Sequence, residues 1–218
     1  MKYDNKMNSK SSSKILSLLY SYYGETNPDL KFTNLYELTI AVVLSAQTTD
    51  KQVNGVTVEL FGIYPDFESL SKADILDVEE VIKSTGFYKN KARNIISLSQ
   101  MVCSRFNGNL PDDMESLMKL PGVGRKSANV ILSIGFNKPG LAVDTHVLRI
   151  SNRLGYSFSD SPLVVEKDLC RVIDPLEWKR THLLFIRHGR ELCKARNPKC
   201  GLCPVKRYCS ISAQKYNF

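Results

Sequence analysis

Apolar residues along this chain recur at intervals of three and four, and no segment sustains the alternation of a strand. The pattern predicts an all-α fold. A first helix is expected after Ser11-Ser12-Ser13, whose hydroxyls suit an N-cap. Its apolar face is Ile15, Leu16, Leu18, Leu19, Tyr22 and Tyr23, and Gly24 stops it; residues 1–10 read as a polar tail. Asn27-Pro28 then breaks the periodicity and marks a hinge between sub-domains. A second helix should start at Asn34, with Glu37 completing a capping box, and run through Leu38, Val42 and Val43. It is apolar nearly all round, which places it in the middle of a core.

That helix ends in the small, polar stretch Ser45-Ala46-Gln47-Thr48-Thr49-Asp50, where Asp50 is expected to cap a helix through Val53, Val56, Leu60 and Phe61. Ser71 to Asp74 and Asp77 to Glu80 each read as a helix start, and the second leads to a bend at Thr85-Gly86-Phe87-Tyr88. A longer helix follows, with Ala92, Ile95, Ile96, Val102 and Phe106 on one side, ended by Asn107-Gly108. Phe87 at the bend is either a core plug or an exposed wedge. Gln47 on sequence alone is a polar helix-terminal residue facing water.

The densest punctuation lies at Leu120-Pro121-Gly122-Val123-Gly124-Arg125-Lys126. Asp112-Asp113 precede a short amphipathic helix through Met114, Leu117, Met118 and Leu120, and Pro121-Gly122 stops it. Ala128, Val130, Ile131 and Ile134 restart the 3.6 period, so the second helix begins near Gly124 or Arg125. Glycines without a Cβ admit positive φ and close approach by another molecule. A helix start adds unpaired N–H groups and the positive end of its dipole, which suit a phosphate. An ordinary helix–helix turn with two solvated cations is the alternative. The Gly86-Phe87 bend weakly echoes this one, a matter of shared turn chemistry. Gly-x-Gly at 122–124 is no dinucleotide fingerprint, because no strand precedes it.

Beyond a turn at Asn137-Lys138-Pro139-Gly140, Leu141-Ala142-Val143 reads as a short buried link and Asp144 as the N-cap of a helix through Thr145-His146-Val147-Leu148. Further helices are expected at Pro162, at Asp174-Pro175 and from Trp178 to Arg190, with Leu183, Leu184 and Ile186 as core candidates. A lysine attacks carbon only as the free amine, which makes Lys126 a candidate nucleophile, and a carboxylate such as Asp144 can stabilise a positive charge or accept a proton. Sequence alone equally allows Lys126 as a surface cation and Asp144 as a plain cap. His146 and His182 belong to no nucleophile arrangement and read as structural.

Four of the six cysteines, Cys193, Cys200, Cys203 and Cys209, fall within seventeen residues as C-x6-C-x2-C-x5-C. The opening residues Met1 to Lys14 hold no apolar core for a signal peptide and no apolar run approaches a membrane span, so a reducing, cytoplasmic setting is expected and the cysteines are not read as a disulfide framework. Clustered thiolates there call for a metal, and a single C-x2-C knuckle argues against an ordinary zinc site. Cys103 and Cys170 lie on apolar helical patterns as small core filler. Thirty Lys+Arg against twenty-two Asp+Glu leave a net charge of +8, a balance suited to a polyanionic partner. Lys194, Arg196, Lys199, Lys206 and Arg207 surround the ligands, either as a solvated face or as phosphate holders.

Taken in order, Leu-Ser-Ala-Gln-x-Thr-Asp at 44–50, Leu-Pro-Gly-Val-Gly at 120–124 with Lys126 after it, Val143-Asp144-Thr145-His146 and the cysteine spacing resemble the endonuclease III family of helix-hairpin-helix DNA glycosylases. The likeness runs from about Ser11 to Cys209. It implies a six-helix sub-domain at 28–137 and a second sub-domain of 1–27 plus 138–218 carrying a [4Fe–4S] cluster on Cys193, Cys200, Cys203 and Cys209, with DNA held in a cleft between them. It implies a monomeric DNA glycosylase and AP lyase acting on duplex DNA with oxidised pyrimidines or abasic sites. Lys126 would be the nucleophile, Asp144 its partner, Gln47 and Phe87 the residues entering the duplex, and Gly122, Val123, Gly124 and Arg125 the phosphate-facing hairpin. An aliphatic residue is commoner at the wedge than phenylalanine. The rivals are a monofunctional glycosylase for adenine mispairs, which generally lacks this lysine and carries a further C-terminal domain, and a non-catalytic DNA-binding module.

Overall fold

The computed structural model describes residues 7–209, in which eleven α-helices and no strand are present. In chain order they are α1 (Ser9–Tyr23), α2 (Leu35–Leu44), α3 (Asp50–Ile63), α4 (Phe67–Ser71), α5 (Ile75–Val81), α6 (Tyr88–Phe106), α7 (Met114–Met118), α8 (Arg125–Val130), α9 (Thr145–Leu154), α10 (Pro162–Val172) and α11 (Trp178–Glu191). Contacts divide the chain into two compact units, one of residues 28–138 and the other built from the segments on either side of it.

The unit of residues 28–138 is organised around α2. Eight of its ten residues are buried, from Tyr36 to Leu44, as its all-round apolar sequence requires. Each fully buried aliphatic side chain of this kind contributes about 1.5–3 kcal/mol. Asn34 caps the helix, accepting from the Glu37 N–H at 2.9 Å. The Glu37 carboxylate, however, turns back to the N–H and hydroxyl of Thr33 (2.6 and 2.9 Å) rather than to Asn34. Against α2 pack α3 and α6, and Val53, Leu60, Ile95, Leu98, Val102, Leu117 and Ile131 complete the core. The unit holds seven α-helical stretches, α2 to α8, of which α4 and α7 are only five residues long.

Several element starts differ from the sequence expectation. Thr49, not Asp50, caps α3. Asp66 caps α4, a helix the periodicity did not announce, in a capping box with Ser69, whereas Asp74 caps α5 where the stretch Ser71 to Asp74 was expected to start a helix. Asp77 therefore lies within the first turn of α5 and starts no helix of its own, because the two apolar runs around it share one short helix. After α8 the helix widens into a π turn, Ile131–Gly135, closed by Phe136 N–H donating to Ile131 C=O at 3.2 Å. A Cβ on Gly135 would lie 2.7 Å from Leu35 Cδ2 and 2.9 Å from Leu38 Cδ2, so α2 lies directly on this turn.

In the other unit α1 begins at Ser9, capped by the Asn8 side chain accepting from the Ser11 N–H at 2.9 Å. Ser11, Ser12 and Ser13 are thus helical rather than capping: Asn8 accepts more directly at the true start. Ser12 is buried against the Tyr156 hydroxyl at 3.0 Å. Of the expected tail, residues 1–6 lie outside the described residues, while Ser9 and Lys10 are already helix. Ile15, Leu19, Val147, Ile150, Leu169, Leu184 and Phe185 form the core. Leu183 and Ile186 are only partly buried, and Phe185 takes the central place.

Candidate nucleic-acid interface and cluster loop

The hairpin at 120–126 is anchored from below and open above. Leu120 and Val123 are buried, and the Val123 N–H donates to the Leu120 carbonyl at 3.1 Å. Gly122 has φ +78°, and a Cβ there would lie 2.9 Å from Val43 Cγ1 and 3.1 Å from Asn94 Cβ. Glycine is required at that position twice over, by backbone conformation and by space. Gly124 differs: its φ is −91° and nothing lies within 4 Å of where a Cβ would stand. Folding does not demand glycine at Gly124, and a molecule approaching there would meet bare backbone. Gly124 opens α8 with no side-chain cap, and Arg125 and Lys126 are exposed in the first turn.

Asp144 caps α9 with extended backbone (φ −98°, ψ −174°), its carboxylate accepting from the Val147 N–H at 2.8 Å. The link Leu141-Ala142-Val143 that carries it is buried. His182, also buried, meets the Ala142 carbonyl through Nδ1 at 2.8 Å; facing a carbonyl, Nδ1 must be the donor. His182 is therefore a clamp on the approach to Asp144. His146 accepts at Nδ1 from the Arg149 guanidinium at 3.1 Å, so it too is structural.

Gln47 and Phe87 share an unusual feature. Both are exposed and both take left-handed backbone, φ +53° and +49°, which non-glycine residues adopt only when the surroundings impose it. Phe87 is 67% exposed, so it is not a core plug. The two glycine bends are also not copies of one another: Phe87 itself is the left-handed residue before α6, while Val123, its counterpart, is buried beneath Gly124.

All four clustered cysteines line one cavity, closed on its inner side by Ile150, Leu154 and His188. Among the described residues no three Cys, His, Asp or Glu side chains converge to hold a single metal ion. Four thiols around a shared space suit an iron–sulfur cluster. Burial, reinforced by Cys193, Cys209 and Cys200, pushes the Cys203 thiol up to about 11. Four thiolates cannot assemble there without a cation to neutralise them, so the donor set fits an iron–sulfur group.

Sequence reasoning missed the side chains that hold this loop. Arg153 donates to the Cys193 Sγ at 3.2 Å and to the carbonyls of Lys194 (2.8 Å) and Ala195 (3.1 Å). Arg149 donates to the Cys193 carbonyl at 3.1 Å and the Gly189 carbonyl at 3.2 Å. His188, buried, lies between the Tyr23 hydroxyl and the Cys203 Sγ. Burial and the Arg149 charge push its imidazole down to about 4, leaving it neutral at physiological pH. Of the surrounding cations, Lys194, Arg196, Lys199 and Arg207 are exposed and Lys206 is half-buried. Cys103 and Cys170 are partly buried against the two cores, as filler.

A glycine hairpin opening a helix behind an exposed lysine, on an all-α scaffold with a four-cysteine loop, defines a helix-hairpin-helix protein with an iron–sulfur centre. Residues 40–175 match the model of the HhH-GPD superfamily base excision DNA repair proteins, and residues 193–209 that of the iron–sulfur binding domain of endonuclease III. The endonuclease III of Rickettsia conorii is 41% identical over 200 residues, covering 90% of this chain and 95% of that protein. Two solved structures, a non-covalent endonuclease III–DNA complex and a trapped endonuclease III–DNA covalent intermediate, each superpose with a TM-score of 0.90 at 42% identity. The first covers 97% of this chain and 100% of its own, the second 96% and 99%. The chain belongs to the HhH-GPD superfamily and, within it, to the endonuclease III family. It is a DNA glycosylase and AP lyase of base excision repair, its partner is DNA, and its cofactor is a [4Fe–4S] cluster. No helix among the described residues is long and apolar enough to cross a membrane.

Proposed function

We propose that the protein removes oxidised pyrimidines from duplex DNA and cuts the resulting abasic strand 3′ to the lesion, with Lys126 as nucleophile and Asp144 as its acid–base and electrostatic partner. The observation that carries this reading is the exposed amine of Lys126 in the first turn of α8, two residues past a glycine that folding does not require. A damaged nucleotide turned out of the stack, at a cost of a few kcal/mol, presents its C1′ to the Lys126 Nζ. The Nζ–C1′ bond forms as the C1′–base bond breaks, opening of the C1′–O4′ bond then gives the imine, and this acidifies C2′ so that loss of its proton expels the 3′-phosphate in a β-elimination. Asp144, kept oriented by its bond to the Val147 N–H, stabilises the cationic sugar and relays protons. Gln47 and Phe87 enter the duplex at the vacated position, and the backbone of Gly122, Val123, Gly124 and Arg125 faces a phosphate. Cys193, Cys200, Cys203 and Cys209 hold the cluster, which shapes the basic loop around it. The protein works as a monomer in the cytoplasm.

Borohydride trapping on a duplex with one oxidised pyrimidine tests the reading. A covalent adduct is expected with the parent protein and none with Lys126→Gln, whose binding to abasic DNA stays largely intact. A Lys126→Gln protein that still cleaves would move the nucleophile elsewhere. Base release without any adduct would make the enzyme monofunctional on that lesion.

A further inference from the structure

Lys91 is the buried cation of the unit of residues 28–138, only 4% exposed. Its Nζ donates to the Thr48 Oγ1 at 2.5 Å and to the Thr85 carbonyl at 2.8 Å. Thr48 itself bonds to the Thr85 carbonyl, and Gln52 Nε2 reaches the Ser84 carbonyl at 3.4 Å. No carboxylate is among the partners of Lys91. Burial lowers its pKa, so the ammonium sits there at a cost that an aliphatic side chain would not incur. What an aliphatic residue could not do is donate to two loops at once.

Those two loops are the ones that carry Gln47 and Phe87. Thr48 follows Gln47 directly, Thr85 precedes Phe87 by two residues, and the Phe87 carbonyl accepts from the Lys91 N–H at 3.1 Å. Both left-handed residues would relax to ordinary backbone unless their surroundings over-determined them. We propose that Lys91 is a positioning residue that ties the Gln47 loop to the Phe87 loop and thereby fixes the spacing and direction of the two side chains that enter DNA. The inference rests on the reading that Gln47 and Phe87 do enter the duplex. It extends that reading by assigning the pair a common, buried control point that touches neither DNA nor the reacting atoms.

The test compares duplex with single strand. Filling the hole left by an extruded nucleotide matters only where an opposite strand and a stack exist, so single-stranded abasic DNA reports the chemistry alone. Lys91→Met keeps the stem and loses the donors. In the cluster-loaded protein it is expected to slow single-turnover cleavage of duplex abasic DNA about tenfold to a hundredfold, while cleavage of the same abasic site in a single strand stays within about twofold of the parent. Thr48→Val, which removes the shared hydroxyl and keeps the buried lysine, should shift the duplex-to-single-strand ratio in the same direction and so serves if Lys91→Met does not fold. Gln47→Ala/Phe87→Ala is the reference, and adding Lys91→Met to it should change the ratio no further. If the reference pair lowers the ratio and neither Lys91→Met nor Thr48→Val does, the tether is refuted while duplex entry stands. Equal slowing on both substrates would make Lys91 merely structural and overturn the proposal. If the reference pair leaves the ratio unchanged, the duplex-entry reading fails and the tether fails with it.

Discussion

His188 holds its Nε2 3.6 Å from the Sγ of Cys203 while its Nδ1 meets the Tyr23 hydroxyl at 3.0 Å. With Cys203 ligating the cluster as proposed, its thiolate can only accept, so Nε2 carries the proton and Nδ1 receives the phenol's. The neutral ring is thus committed at both nitrogens.

Replacing His188 with Leu keeps all four proposed cysteine ligands and removes the N–H that faces one of them. Loss of such a supporting bond costs about 10–100-fold in metal affinity. The visible absorption of the cluster should therefore bleach faster by that order in the presence of an iron chelator, with Tyr23→Phe producing a smaller change. Retention equal to the parent's would show that the imidazole only fills space.

Stripping the iron should make stability sensitive to alkaline pH. Burial raises the Cys203 thiol from 9.0 to about 11 in the folded chain. A group with a raised folded value contributes fully below its unfolded value and loses that contribution as pH climbs to the folded one. Urea midpoints of iron-free protein are expected to fall between pH 9 and 11 by more than those of a Cys203→Ser control. A parallel decline would assign the loss to other groups.

Asp144→Asn separates capping from chemistry. Asparagine is as good an N-cap as aspartate, so thermal stability should change by only a few tenths of a kcal/mol. Base release, deprived of a charge facing a cationic sugar and of a proton acceptor, should drop by about 10²–10⁴-fold. Full activity in a stable Asp144→Asn protein would reduce Asp144 to the plain cap that sequence also permitted.

The positions proposed to carry the chemistry are legible in the sequence because their signals are local. The hairpin announces itself by Pro121, Gly122 and Gly124 within four residues, Asp144 by standing before a helical run, and the cysteines by spacing. The supports were not, because they act across the chain: Arg153 reaches Cys193 from 40 residues away and Lys91 reaches Thr48 from 43. A trace of them was nonetheless present. Lys91 falls in step with Ile95, Leu98 and Val102, and His188 with Thr181, Leu184 and Phe185, so each polar residue occupies a position on the buried stripe of its helix. The caps of α1 and α3 were misplaced because hydroxyl, amide and carboxylate side chains near a helix start compete for the role, and only backbone direction decides which accepts. Nothing in the periodicity distinguishes the π turn at Ile131–Gly135 from a continuing α-helix.

The two hairpin glycines should respond oppositely to alanine. Gly122→Ala meets both a positive φ and Val43 at 2.9 Å, and should destabilise by about 1–3 kcal/mol. Gly124→Ala meets neither and should unfold within about 0.5 kcal/mol of the parent, yet bind abasic DNA more weakly, because a methyl group then stands where a phosphate is proposed to come. Denaturant melts and fluorescence anisotropy at one fixed salt concentration separate the two. Undiminished binding by Gly124→Ala would take the phosphate away from the hairpin.

Helix α2 lies beneath both kinds of bend. Its Val43 is the side chain on which Gly122 rests, and its C-terminus runs straight into the Gln47 turn. One helix therefore supports the hairpin through Val43 and the Gln47 turn through its own C-terminus, so the two share a common base. On the proposed reading a shared base holds both DNA-facing bends together, and deformation falls to the duplex. A weakened base pair, which yields most readily, is then selected by its softness before any chemical group on the damaged base is read.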